Sequence, residues 1–332
     1  MEQRKLGKSG PMTSAIGLGC MGMSGAYGPA DREEAIATIH ASLDAGITLL
    51  DTGDFYGQGH NEMLIGDAIA GRPRDSYQLS VKYGGLRDPA GAFIGFDASP
   101  RSTKNFLHYT LQRLRVDHID IYRPARLDPD VPIEETIGAI AEMVQAGYVR
   151  HIGLSEVGSE TIRRAAAVHP IVDLQIEYAL VNRGPEDSIF PTLRELGIGV
   201  TAYGVLSRGL ISGHWQASNG RQPGDFRAHS PRFQAGNVEA NLQIADRLKA
   251  IADARGITVA QLAIAWVAAQ GRDIVPLVGA KTRMRLQEAL GALDVTLSAE
   301  DLAVIEAAVP RDAIRGERYP APAMASLDSE RG

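Results

Sequence analysis

Short apolar runs alternate with polar loops and amphipathic helices along most of the chain. The runs at 15–18, 47–50, 79–81, 119–122, 149–154, 174–176, 199–202 and 274–278 are three to six residues long and predict buried strands. Between them the apolar positions switch to helical spacing. Ile36, Ile39 and Leu43 share one face of a helix that opens at Asp31 and stops at Gly46. Glu34, three residues after Asp31, predicts a reciprocal capping box there. Leu107, Leu111 and Leu114 mark a helix announced by Ser99 and Pro100, and Ile133, Ile137, Ile140 and Val144 mark one over 132–145. Further helices are predicted at 62–70, from Ser159, at 187–196, 238–255, 258–270 and 283–290, with a last one opened by Ser298 and Asp301. Strands alternating with helices mean a parallel sheet. Eight such units without a composition break predict an α/β chain, a single (β/α)8 TIM barrel over 1–332 with two extra helices. The stretch 4–16 reads as an N-terminal β-hairpin plugging the bottom of the barrel, and 310–332 as an irregular C-terminal tail.

Composition narrows the partners. A net charge of −6 argues against a nucleic-acid footprint and offers no counter-surface to an anionic membrane. Cys20 is the single cysteine, so no internal disulfide can form and a reducing compartment is expected. With no apolar leader at the N-terminus and no run of transmembrane length, the expected location is the cytoplasm. A homo-oligomer is compatible with this composition.

Two motifs are decoys. "GLGCMG", Gly17 to Gly22, matches G-x-G-x-x-G, but the next helix is predicted only near Asp31, too late to face a pyrophosphate. "GLSEV", Gly153 to Val157, lacks the second glycine of a nucleophile elbow.

The chemistry gathers instead where strands end. In order, the strand ends carry Asp51, Lys82, Arg123 to Arg126, Ser155 with Glu156, Gln175, Tyr203 and Lys281. In a barrel these positions share the C-terminal face, where catalysis is built. Asp51 and Lys82 end adjacent strands about 4.8 Å apart and are expected to pair. Tyr56, five residues past Asp51, is expected to fold over that pair. Its phenol, with an unperturbed pKa of about 10, is expected to be lowered by the ammonium, which suits donating a proton to a carbonyl oxygen. There is no obvious nucleophile, and the eight histidines form no close pairs at ligand spacing, so no metal is expected.

The sequence resembles the aldo-keto reductase family, and within it bacterial NADPH-dependent members with a "GLGxMGMS" start. The segments that carry the resemblance are "GLGCMGMSGAYG", "DTGDFYGQGHNEMLIGDAI", "HIDIYRPARLDPDVPIEETIGAI", "AGYVRHIGLSEVG", "DLQIEYAL", "AYGVLSRGLISG" and "VPLVGAKTRMRLQEALGALDV", in order over nearly the whole chain. The resemblance implies a barrel that binds NADPH (NADP when oxidised) in extended form and reduces a small-molecule carbonyl, an aldehyde or ketone. By position, Asp51, Tyr56 and Lys82 match three of four catalytic residues, with Tyr56 the general acid. The fourth is a histidine after the fourth strand, and its place is taken by Ala125, with Pro124 where glutamine is usual. The histidine's hydrogen bond to the substrate oxygen is therefore absent, a loss worth roughly 3–4 kcal/mol in an evolved site. Arg126 or Arg123 entering the substrate pocket as a cationic donor, a water, or a pocket enlarged for a bulkier substrate would each answer it. The plainer reading pairs both arginines with Asp128, Asp130 or Glu156 at the rim.

The same resemblance puts Ser155 and Gln175 on the nicotinamide carboxamide and Tyr203 against the ring, with Glu156 where many members have asparagine. Gly204, Leu206, Ser207, Arg208 and Gly209 match the segment around the pyrophosphate. Lys281 and Arg285 match positions at the adenosine 2′-phosphate, and Glu288 an adenine contact beside Ala289, where asparagine is common. Gly22, Met23 and Asp51 complete the expected cofactor set. The alternative function is an NADPH-binding regulatory or sensor protein with vestigial turnover, which Ala125 favours and the Tyr–Lys–Asp unit disfavours. Reduction of a carbon–carbon double bond goes in this family with an acidic residue in place of the histidine, which alanine is not. The loops expected to select the substrate, 84–96, 216–233 and the tail, carry no readable code.

Overall fold

The computed structural model of the chain describes residues 1–216 and 224–331, so part of the loop 216–233 lies outside the described residues. Eight parallel strands close on themselves: β1 (Gly17–Gly19), β2 (Leu49–Gly53), β3 (Gln78–Tyr83), β4 (Ile119–Pro124), β5 (Val149–Ser155), β6 (Ile171–Glu177), β7 (Gly199–Tyr203) and β8 (Ile274–Gly279). Around them run α1 (Arg32–Asp44), α2 (His60–Ala68), α3 (Pro100–Leu114), α4 (Ile133–Gln145), α5 (Ser159–Val168) and α6 (Ile189–Leu196). The two extra helices are α7 (Asn237–Asp253), which packs on α8 (Val259–Ala269), and, after α9 (Arg283–Leu290), α10 (Ala299–Ala308), which packs on α7.

Strand parity divides the core in two. Leu79, Val81 and Tyr83 face outward under the helices, while Leu49, Ile121, Val275 and Leu277 fill the bottom of the barrel around Leu6. Leu6 opens the turn of the antiparallel hairpin of Gln3–Lys5 with Met12–Ser14, so the hairpin does plug the barrel. Arg4 Nη1 pins it by donating to the carbonyls of Ala268, Gly271 and Ile274. Gly7 adopts φ +66°, and a Cβ there would lie 2.5 Å from the Val172 carbonyl, so only glycine allows this approach.

Three local expectations change. At α1 only half of the capping box forms: Asp31 accepts from the Glu34 amide, but the Glu34 carboxylate turns to Arg283 on α9. Ser99 stands at the start of α3 without capping it, and Asp97 instead accepts from the Ser99 amide and the Ser102 hydroxyl. The loop after β3, which shows no pattern in the sequence, folds into a second antiparallel hairpin of Gly85–Arg87 with Phe93–Phe96. The helix after "GLGCMG" begins at Arg32, which removes the dinucleotide-fingerprint reading of those glycines.

Above the apolar floor the interior becomes charged. Arg123 Nη1 lies 3.0 Å from Asp173 Oδ2, and both side chains are fully buried. Removing one member strands the other in a low-dielectric interior. Asp173→Ala is expected to lower unfolding free energy by about 3–5 kcal/mol, whereas Arg123→Met with Asp173→Leu costs much less. Urea denaturation of both variants checks this, and equal losses would remove the pair's role.

Candidate active site

Asp51 organises the top of the barrel. Its Oδ1 accepts from Lys82 Nζ at 2.6 Å, and its Oδ2 accepts from Ser80 Oγ at 2.8 Å and Gln175 Nε2 at 2.6 Å. The register sets this up, because Asp51 lies opposite Ser80 and Gly53 opposite Lys82. Tyr56 follows β2 in a tight reversal whose Gly57, Gln58 and Gly59 all have positive φ, at 56°, 55° and 91°. The reversal lays the Tyr56 ring over the lysine, with Nζ 5.1 Å from the ring centroid. Asp54 braces the pair from behind: its amide donates to the Lys82 carbonyl at 2.9 Å, and its Oδ2 accepts from the Gly84 amide at 3.2 Å.

The electrostatics differ from expectation. Burial first, then the charge of Asp51, push the Tyr56 hydroxyl well above its ordinary pKa, while Arg126 pulls the other way. Burial also lowers Lys82, against the opposing pull of Asp51. The lysine's charge is committed to the carboxylate, so the phenol is held protonated rather than eased toward phenolate.

The end of β4 separates the two arginines. Arg123 is not a pocket residue: it shares the inward parity of Ile119 and Ile121 and lies beneath Asp51, donating to Ser80 Oγ at 3.0 Å and Thr201 Oγ1 at 3.2 Å. The rim pairing with Asp128 or Asp130 does not form either; Asp128 accepts from the Ala98 amide. Ala125 is buried. Arg126 turns into the pocket, where Nη1 donates to the Ala125 carbonyl at 2.6 Å and the guanidinium lies 5.9 Å from the Tyr319 ring. Its charge is raised by Tyr203, Tyr319, Glu156 and Tyr56 against desolvation.

The remaining expected residues line the mouth between β5 and β8. Ser155 Oγ is buried without a partner. Tyr203 donates to Glu156 Oε1 at 2.7 Å. After it, Gly204, Ser207, Arg208 and Gly209 all take positive φ, and the Leu206 carbonyl closes this turn by accepting from the Gly209 amide. Arg208 donates through Nη1 to Ser230 and the Arg318 carbonyl, leaving Nη2 without a hydrogen-bond partner. Lys281 Nζ donates to the carbonyls of Tyr27 at 3.0 Å and Pro29 at 3.1 Å, close by Gly22, and the neighbouring Met23 is buried. Arg285 and His214 both bond Glu288.

Sequence reasoning misses the groups that cover this mouth. The tail brings Arg318, Tyr319 and Ser329 onto Glu156 and Tyr203, and Phe226 of the long loop after β7 donates its amide to the Ala26 carbonyl across the opening. Arg232 from the same loop meets Glu177 at 3.0 Å. The only signals were an arginine and a tyrosine in a Pro-rich tail and a glutamate where asparagine was expected. Among the described residues no group of three or more His, Cys, Asp or Glu could hold a metal, and no helix is long and apolar enough to cross a membrane.

The closed (β/α)8 barrel thus carries a buried carboxylate–ammonium pair under a tyrosine at its C-terminal mouth, the face where such barrels build their active sites. The sequence matches the Aldo/keto reductase family profile over residues 15–310. It is 42% identical over 316 residues to "Probable aldo-keto reductase 1" of Glycine max, covering 95% of this chain and 91% of that protein. Among solved structures, the glycerol dehydrogenase of Gluconobacter oxydans superposes with a TM-score of 0.84 at 28% identity, over 93% of this chain and 95% of that one. A holo-form aldo-keto reductase of Bacillus halodurans gives 0.77 at 28% identity, over 94% and 97%. The chain belongs to the aldo/keto reductase family. Carbonyl oxidoreduction on small substrates with a nicotinamide cofactor is the family's activity. The residues present suit such a cofactor: a buried Ser155 hydroxyl and Arg208 Nη2 lack hydrogen-bond partners, and positive φ at Gly204, Ser207, Arg208 and Gly209 gives the segment the backbone of an anion-binding turn.

The brace behind the site titrates. Burial, with Glu62 nearby, raises the Asp54 carboxyl to about 7, well above its unfolded value, so the folded state binds this proton more tightly. Stability from this group is present below the unfolded pKa and falls as pH rises towards about 7. Asp54→Asn is expected to abolish a loss of about 4 kcal/mol between pH 4 and 8. Denaturant titrations across that range check it, and an unchanged slope in the variant rules Asp54 out as its source.

Proposed function

We propose that the chain reduces an aldehyde or ketone to an alcohol with NADPH, Tyr56 donating the proton to the carbonyl oxygen. The observation that carries this is the Lys82–Asp51 pair at 2.6 Å beneath the Tyr56 ring. Bound NADPH supplies the hydride. Tyr56 holds its proton firmly until charge develops on the substrate oxygen, and Lys82, fixed by Asp51, stabilises the phenolate that remains. Arg126 takes over the work of the absent imidazole. Its guanidinium makes no ion pair among the described residues, and it is the group that opposes the rise of the Tyr56 pKa. Ser155 serves the carboxamide, Tyr203 the ring face and the 204–209 turn the pyrophosphate. Lys281 and Arg285 favour NADPH over NADH: the ammonium is held by two neutral carbonyls, so its charge remains available to a 2′-phosphate.

NADPH oxidation with sugars, ketosteroids, pyridoxal and aromatic aldehydes tests the reading, with turnover of at least one class expected. Tight NADPH binding with no turnover of any carbonyl would instead support the sensor reading that Ala125 suggests. Tyr56→Phe is expected to lower kcat by about a hundredfold or more while NADPH affinity stays close to wild type. Arg126→Met is expected to lower kcat by about a hundredfold, and adding Ala125→His to recover part of it with small aldehydes. Full activity in the Met variant would exclude Arg126 as the donor.

A further inference from the structure

Glu156 is a fully buried carboxylate one residue past β5, with its backbone in the left-handed region at φ 52°. Five donors converge on its two oxygens. Oε1 accepts from Arg318 Nη1 at 3.1 Å, the Glu177 amide at 2.9 Å and the Tyr203 hydroxyl at 2.7 Å; Oε2 accepts from Arg318 Nη2 at 2.9 Å and Ser329 Oγ at 2.7 Å. Its cation therefore comes from the tail, 162 residues away in sequence. The tail is clamped in turn: Arg318 also meets Glu330 at 2.6 Å, the Asp328 carboxylate accepts from the Gly158 amide, and the Tyr319 hydroxyl lies 2.9 Å from that of Tyr203. Glu177 beside it is matched by Arg232 at 3.0 Å, with Arg208 and Arg318 at 3.6 and 3.5 Å. Arg318 is thus the one cation in direct ion-pair contact with the carboxylate at the end of the Tyr203 ring among the described residues, with Arg126 acting on it only at longer range.

We propose that Arg318 is a positioning residue that sets the electrostatic preference of the site between the two oxidation states of the cofactor. The inference rests on the reading above in which Tyr203 lies against the nicotinamide. The oxidised ring bears a positive charge and the reduced ring is neutral; the pyrophosphate and 2′-phosphate contacts are common to both. A charge change beside Tyr203 therefore acts on the ratio of the two affinities and leaves shared contacts out of it. With Arg318 in place the carboxylate is neutralised, and neither form gains. Without it, Glu156 loses its one ion-pair partner and only the more distant Arg126 offsets it, so the carboxylate attracts the oxidised ring and holds product back.

Dissociation constants for NADP⁺ and NADPH, measured at pH 8 by quenching of intrinsic tryptophan fluorescence on the full chain, test this. Arg318→Met is expected to shift the ratio of constants about tenfold in favour of NADP⁺. Glu156→Gln, which keeps the tail arginine and removes the carboxylate charge, is expected to shift it the opposite way. The double variant is expected to return to the wild-type ratio. A tail that is merely structural would raise both constants together, and an unchanged ratio in both single variants overturns the proposal. Failure of the wild-type chain to bind either form overturns the cofactor reading, and this inference with it.

Discussion

Everything at the top of this barrel depends on matching charge inside it. A carboxylate or ammonium removed from water loses several kcal/mol of hydration unless a partner and hydrogen bonds replace it. The interior meets that demand in tiers: Arg123 with Asp173 below, Asp51 with Lys82 above, and Ser80 between them, accepting from Arg123 at 3.0 Å and donating to Asp51 at 2.8 Å. Such pairs add little net stability, but they leave each side chain a single satisfactory direction. Lys82 can point only at Asp51, and so the ammonium lies under the one tyrosine the β2 reversal delivers. The geometry of the chemistry is a consequence of the desolvation penalty below it.

The fold was legible because both of its periods are local. The apolar runs stop one to three residues short of the strand ends, close enough to bring Asp51, Lys82, Ser155, Gln175 and Tyr203 to the C-terminal half of their strands on one face. Arg123 was misplaced because it was read as part of a basic pair with Arg126. Its parity with Ile119 and Ile121 points inward, and that signal was present in the sequence. Glu34 shows the other kind of failure. A local rule assigned it to its own helix end, and Arg283 on a neighbouring helix offered a charge-assisted partner instead. Contacts such as Glu156 with Arg318 join segments with no shared periodicity, so nothing short-range announces them.

The loss of an imidazole at position 125 changes how the site must work rather than whether it can. Burial, with the charge of Asp51 nearby, leaves the Tyr56 phenol a weaker acid than a free tyrosine. A weak acid donates usefully only if the oxygen receiving the proton is already becoming basic, which places the demand on stabilising negative charge there. In the function proposed above, Arg126 meets that demand with a delocalised cation in place of a neutral donor. Its longer side chain reaches from a backbone position one residue further along, which also explains why the residue at 125 can be as small as alanine.

The strands and the short turns after them place Asp51, Lys82, Tyr56 and Arg126 around the mouth. The groups that cover it come from longer segments outside the repeat. Here those are the loop carrying Arg208, Phe226 and Arg232 and the tail carrying Arg318 and Tyr319, packed against each other through Arg208 at 4.5 Å from the Tyr319 ring. The chemistry is thus inherited from the barrel, while the shape and charge of the pocket belong to segments whose sequence has no period to constrain it. The Asp51–Lys82 pair and Tyr56 are thus fixed by the barrel's own register, whereas what surrounds them at positions 126 and 319 is free of it.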